Sequence, residues 1–303
     1  MLSKEILKKI KWIEINSRKP VNQLFAGEYR SVFKGQGLEF FEVREYQPGD
    51  DIRSIDWNVT ARLGAPFVKK YIEERQRTII LMVDVSASLE FGSLKKSKNE
   101  IAAEVASLLA FSAVKNNDLV GLVLFSGRIE KFIPPKKGRK HVLRIIRDIL
   151  CFKNAVPAGR QEESGGTDIS QAVKYLSRVV RKKAILFLIS DFLADNYEKS
   201  LNSISRKHDL IPIIIKDRFE KSLPNNAGLV YFEDPETKDI LPVDLDDPEV
   251  KTKYINIAKE DYEKRKKYLR GIKSDIVELS TDGEYIKPLS LFFKKRERRM
   301  RLV

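Results

Sequence analysis

The sequence holds one cysteine, Cys151, and two histidines, His141 and His208, in 303 residues. A lone cysteine excludes an intramolecular disulfide and fits a reducing compartment, so the cytoplasm is the expected location. The two histidines stand on unrelated segments, which leaves no basis for a histidine-based triad or a zinc site. No apolar run approaches the ~18 residues of a membrane-spanning helix. Residues Met1 to Ile15 interrupt Leu2, Ile6, Ile10 and Ile13 with Lys4, Glu5, Lys8, Lys9 and Lys11. That is a short amphipathic helix, not the uninterrupted apolar core of a signal peptide. Also missing are a Gly-x-x-x-x-Gly-Lys-Ser/Thr loop, zinc-finger spacing, a basic zipper and an RNA-recognition aromatic motif. Nucleotide binding by this chain is therefore not expected, and nucleic acid is disfavoured as a partner.

What is present is an ordinary globular balance, 42% hydrophobic and 33% charged, in a chain long enough to bury a core without staples. The net charge of +14 favours acidic partners. It keeps open a rival reading, an adaptor for nucleic acid or an anionic membrane surface. The excess is densest at Lys294, Lys295, Arg296, Arg298, Arg299 and Arg301, where a solvated helix end is the simpler account.

Residues 1–77 read as an accessory segment, an N-terminal helix followed by β-rich chain. Leu38 to Tyr46 and Phe67 to Glu74 suggest half-buried strands, and Pro48-Gly49 marks a tight turn between them. Arg44, Asp50, Asp51, Arg53, Asp56 and Arg62 could interlock as bidentate ion pairs around Trp57. Stapling of a loop-rich segment is the preferred role for this network, with a ligand site as the alternative.

Residues 78–303 read as an α/β domain with a doubly wound, mainly parallel sheet. Apolar runs at Ile79–Val83, Leu119–Phe125, Ala184–Ser190 and Leu210–Ile215 have the length and density of buried strands, and helical spacing recurs between them. A hairpin around Asp234 to Lys238, a charged helix from Pro248 to Arg270, a strand at Asp275 to Leu279 and a last helix near Glu284 complete the pattern.

The first buried run stops at Asp84-Val-Ser86-Ala-Ser88. Oxygen groups at alternate positions just past a central strand can converge where open α/β sheets bind ligands, and suit a hard cation. Thr167, after two glycines, and Asp191, after a buried run, fall at comparable places. Each has a bland reading: Asp84, Ser86 and Ser88 as turn residues, Thr167 as a helix cap, Asp191 as a turn. An Asp at a strand end beside a cation could also be a phosphotransfer nucleophile, though Ser86 stands where such enzymes place a second Asp.

Together, Asp84-x-Ser86-x-Ser88, Thr167 and Asp191 resemble the metal-ion-dependent adhesion site of von Willebrand factor A domains. Upstream, Gly35-x-Gly37-x-Glu39-Phe40, Arg44-Glu-Tyr46, Pro48-Gly-Asp-Asp51, Arg53-Ser-Ile-Asp-Trp57 and Thr60-Ala-Arg62 resemble the bacterial family labelled domain of unknown function 58. The resemblance implies a von Willebrand A-like fold and a non-enzymatic protein-interaction module. It implies that Ser86, Ser88 and Thr167 ligate Mg²⁺, with Mn²⁺ or Ca²⁺ as alternatives, and that Asp84 and Asp191 act through bound water. An acidic side chain of a partner protein would complete the shell. It further implies work alongside a MoxR-type AAA+ ATPase. On this reading, Ser86→Ala or Asp191→Ala should abolish metal-dependent binding and leave the fold largely intact.

Overall fold

The computed structural model describes residues 8, 11–13, 39–72, 77–92, 96–155, 166–220, 223, 228–233, 239–272 and 274–301. The chain divides into two compact units, one of Phe33–Arg77 and one of the remainder. Gly35, Gly37, Gly165 and the turn of the hairpin expected at Asp234 to Lys238 lie outside the described residues. Of the expected N-terminal helix, Lys8 and Lys11 to Ile13 are described, and they are helical.

In the smaller unit, β1 (Glu39–Glu45) and β2 (Phe67–Ile72) pair antiparallel, Glu45 opposite Phe67 and Glu39 opposite Ile72. Between them runs a helix that the sequence reading treats as turn-rich loop, α1 (Trp57–Leu63). Its signals are terminal: the Asp56 carboxylate accepts the Asn58 and Val59 amides, and Gly64 closes the last turn at φ 74°. Such a short helix is held by its caps, because no residue in it is buried.

The larger unit is built on a six-stranded sheet in the order β10-β7-β6-β3-β4-β5. Its members are β3 (Thr78–Asp84), β4 (Leu119–Phe125), β5 (Ile129–Lys136), β6 (Ile185–Ser190), β7 (Asp209–Lys216) and β10 (Val277–Ser280). All neighbours run parallel except the edge pair β4 and β5. Every residue of β6, and all but the first of β3, β4 and β7, is buried. That is why these strands are legible as unbroken apolar runs: helices cover both faces, so neither face is free to be polar.

One face packs Ile80, Met82, Val123, Leu186 and Leu188 with residues of α4 (Ile169–Val179) and α5 (Glu198–Lys207). α2 (Lys98–Lys115) and α3 (Arg139–Ala155) pack on each other and on β4, supplying buried Ile101, Val105, Leu109, Val142 and Ile146. A charged helix α6 (Pro248–Gly271) and a final α7 (Ile286–Arg301) follow, with an antiparallel hairpin of β8 (Leu229–Glu233) and β9 (Ile240–Asp244) before α6. The architecture is the doubly wound, mainly parallel α/β sheet expected. Among the described residues, no helix is long and apolar enough to cross a membrane.

Two polar features lose their functional interest here. His141 Nε2 donates to the Val120 carbonyl at 2.8 Å, and His208 Nδ1 accepts the Ala184 amide at 3.2 Å, so each histidine ties backbone. In the basic run of α7, Arg296 pairs with Asp209, and Arg299 Nη1 donates to Asp275 at 2.9 Å. Part of that charge is spent on holding the helix to the sheet.

Gly121 sits in β4 where the register with β5 slips. A Cβ there would lie 2.9 Å from Ile80 Cδ1 and 3.1 Å from the Ile133 carbonyl oxygen. Gly121→Val is expected to cost about 1–3 kcal/mol through overpacking. Urea titration reads it directly, and an unchanged midpoint would show that β5 gives way freely.

Candidate functional site

β3 feeds its next strand to one side, β4, while β6 feeds β7 to the other. The carboxyl ends of β3 and β6 therefore flank the point where strand order reverses, the crevice in which open α/β sheets bind ligands. Asp84 is the last residue of β3, aligned with Phe125 at the end of β4. Asp191 follows Ser190, the last residue of β6. Thr167 precedes α4, and its neighbour Asp168 donates its amide to the Ser126 carbonyl just past β4, at 2.9 Å. The topology thus places all three sequence-predicted segments at the ends of adjacent strands.

Asp84 is fully buried. Its Oδ1 accepts the Ser86 amide at 2.9 Å and its Oδ2 accepts the Ser190 hydroxyl at 2.6 Å. Burial and the nearby Asp191 carboxylate push the Asp84 carboxyl up to about 7, against the lowering pull of the Ser190 and Ser86 hydrogen bonds. Ser86 and Ser88 stand at the start of a 3₁₀ turn with their Oγ atoms 3.1 Å apart. Those two hydroxyls face each other as a pair of neutral oxygen donors.

Thr167 resolves one of the alternatives. The cap of α4 is Asp168, whose carboxylate accepts the Gln171 amide at 2.8 Å, so Thr167 is not needed there. Its Oγ1 is enclosed and has no hydrogen-bond partner among the described residues. An enclosed hydroxyl without a partner carries a desolvation cost that a ligand would relieve. Neutral hydroxyls with carboxylates behind them are a donor set that a hard divalent cation accepts.

Asp191 is engaged differently from what its position in the sequence suggests. Its Oδ1 accepts the Leu193 amide at 3.1 Å, and its Oδ2 lies 2.7 Å from the ammonium of Lys98. Between them Phe192 is held at φ 58°, a strained setting for a bulky residue, with its amide on Ser190 Oγ at 3.0 Å. Lys98 Nζ also lies 2.7 Å from Glu220 Oε1. Burial alone would lower the Lys98 pKa, but the Asp191 and Glu220 carboxylates outweigh it and the ammonium is held above its ordinary value.

Ser190, Lys98 and Glu220 are the site residues that sequence reasoning misses. Ser190 closes an apolar run and was open to view. Lys98 and Glu220 lie in a helix start and a 3₁₀ turn whose spacing carries no sign of a shared carboxylate partner.

The second predicted cluster comes together only in part. Arg44 grips Asp50 with two hydrogen bonds of 2.8 and 2.7 Å, and Asp50 also accepts the Gln47 amide, stapling the Pro48-Gly49 turn. Asp56 caps α1 and lies 3.5 Å from Lys69. Arg53 and Arg62 are exposed and make no ion pair among the described residues. Trp57, expected at the centre of the set, is 66% exposed. A staple at Arg44 and Asp50 with a capped helix beside it replaces the expected interlocking ring.

Residues 42–264 match the family model described as protein of unknown function DUF58. The uncharacterized protein Rv1480 of Mycobacterium tuberculosis is 28% identical over 290 residues, 95% of this chain and 89% of that protein. The uncharacterized protein YeaD of Bacillus subtilis is 29% identical over 134 residues, 43% of this chain and 31% of that one. Among solved structures, the conserved hypothetical protein BatB from Bacteroides thetaiotaomicron is similar at TM-score 0.44 and 15% identity, over 73% of this chain and 99% of that one. The SpRpn10 VWA domain is similar at TM-score 0.36 and 12% identity, over 73% of this chain and 94% of that one.

Proposed function

Since the chain belongs to the DUF58 family, its matched segment running from β1 through α6, we propose that it is a non-enzymatic module that binds partner proteins through a divalent cation at the carboxyl edge of its sheet. The observation that carries this reading is the trio of hydroxyls: Ser86 and Ser88 facing each other at 3.1 Å, and Thr167 Oγ1 enclosed without a partner among the described residues. Ser86, Ser88 and Thr167 would ligate the ion directly, and Asp84 and Asp191 would hold its waters.

A hard ion such as Mg²⁺ keeps waters readily, and Mn²⁺ or Ca²⁺ would accept the same oxygens. Because the direct protein ligands are neutral, the ion keeps much of its charge towards solvent, where an acidic side chain of a partner can complete the shell. The family resemblance extends the proposal to a MoxR-type AAA+ ATPase as that partner, in assembly or maturation work, and to a cytoplasmic location.

The test compares wild type with Ser86→Ala. Calorimetric titration with Mg²⁺ should show binding to wild type that falls by roughly tenfold or more when one direct ligand is lost. A candidate ATPase partner should be retained by wild type in Mg²⁺ and released by EDTA. Equal Mg²⁺ binding by the two proteins would remove the metal from the account.

A further inference from the structure

Lys98 is the first residue of α2, where the Ser97 hydroxyl and the Glu100 carboxylate form a reciprocal capping box that fixes the backbone. Its side chain is only 2% exposed, yet its ammonium sits 2.7 Å from both Asp191 Oδ2 and Glu220 Oε1. Lysine is seldom fully buried, and a buried ion pair is commonly no more stable than an apolar replacement. Here the ammonium is shared between carboxylates from two strand ends, Asp191 after β6 and Glu220 beyond β7. Of the two, only Asp191 is proposed to hold the ion's waters, and Glu220 reaches the site through Lys98. Three carboxylates, Asp84, Asp191 and Glu220, stand against the single Lys98 ammonium, a formal charge of minus two when all three are ionised.

We infer that Lys98 is the resident counter-cation of this site, neutralising Asp191 when no divalent ion is bound and yielding towards Glu220 when one binds. The inference rests on the metal-binding reading above. Lys98 then acts as a positioning residue that sets how tightly the ion is held. Glu220 is the acceptor that lets it give way. Two like charges compete for Asp191, so deleting the ammonium should strengthen ion binding. Deleting Glu220 should weaken it, because the ammonium is then left to Asp191 alone.

The test is Mn²⁺ binding, followed by electron paramagnetic resonance and calorimetry, on full-length wild type, Lys98→Met, Glu220→Gln and Ser86→Ala. Lys98→Met should bind Mn²⁺ tighter by roughly tenfold or more. Its melting temperature should be lower than that of wild type without the ion and should recover most on adding it. Glu220→Gln should bind more weakly, severalfold. A merely structural pair would move both variants the same way, since both lose a buried contact. Shifts of the same sign, or no shift in either, overturn the role of Lys98 and leave the metal site standing, provided Ser86→Ala has lost the ion. If Lys98→Met does not fold, Glu220→Gln still decides, and binding equal to or tighter than wild type overturns the inference. Wild-type failure to bind Mn²⁺, or undiminished binding by Ser86→Ala, brings down the metal reading and this inference with it.

Discussion

Asp84→Asn is expected to be more stable than wild type at pH 8 without divalent cations, by about 2–3 kcal/mol, and no more stable at pH 4. The buried carboxyl is pushed up to about 7 when folded and titrates near 3.8 when the chain is unfolded. Its folded pKa is the higher one, so the favourable contribution of the neutral acid is complete below pH ~4 and is lost as pH rises through about 7. Roughly three units at 1.36 kcal/mol each come to about 4 kcal/mol. Asparagine keeps an oxygen for the Ser86 amide, but its amide group cannot accept from the Ser190 hydroxyl, and the lost bond returns about 1 kcal/mol. The checking measurement is urea unfolding of both proteins across pH 4 to 8 in EDTA. A stability difference that is flat with pH would mean that Asp84 is not the buried acid described. On the proposed metal reading, Mg²⁺ at pH 8 should stabilise wild type more than Asp84→Asn, because the substitution removes one of the two carboxylates proposed to hold the ion's waters.

On the proposed metal reading, that trade accounts for a buried carboxylate at the carboxyl end of β3. The fold itself was open to reading because β3, β4, β6 and β7 are covered on both faces and so carry continuous apolar runs. α5 was not. It starts at Tyr197 with no side-chain cap, and only Leu201 and Ile204 are buried along it, too few to set a helical period. α1 was concealed for the opposite reason: it has caps at both ends and no buried face. The same division holds in the candidate site. Ser86, Ser88 and Asp191 are legible because strand ends put them there, and Thr167 because a helix start follows it, whatever the tertiary detail. Lys98 and Glu220 are 122 positions apart and meet directly, ammonium on carboxylate, a relation that no local spacing encodes. The Arg44 to Arg62 stretch shows the limit from the other side. Charges of opposite sign in proximity suggest a network, but turn geometry selects one pair, Arg44 with Asp50, and turns Arg53 and Arg62 outward.

Asp191→Ala, which from sequence alone should leave the fold intact, is instead expected to destabilise the protein by about 2–3 kcal/mol even without metal. The substitution removes one of two carboxylates from an ammonium that is 2% exposed, and it removes the acceptor of the Leu193 amide beside a strained Phe192. Breaking a buried pair commonly costs about 3–5 kcal/mol, because the surviving charge stays buried. Two features hold the figure below that range. Glu220 remains 2.7 Å from the ammonium, and removing Asp191 relieves the repulsion that helps to push Asp84 up. The loss belongs to the stranded Lys98 more than to Asp191 itself. Lys98→Met in the Asp191→Ala background should then recover stability, with a coupling of about 1–3 kcal/mol in the double-mutant cycle. Additive single effects, measured by urea unfolding in EDTA, would place the damage in the turn at Phe192 and not in the charge. The distinction matters for the metal experiments, because a weakened fold can mimic a lost ligand. Ser86→Ala, which strands no charge, is the variant from which loss of ion binding can be read without that ambiguity.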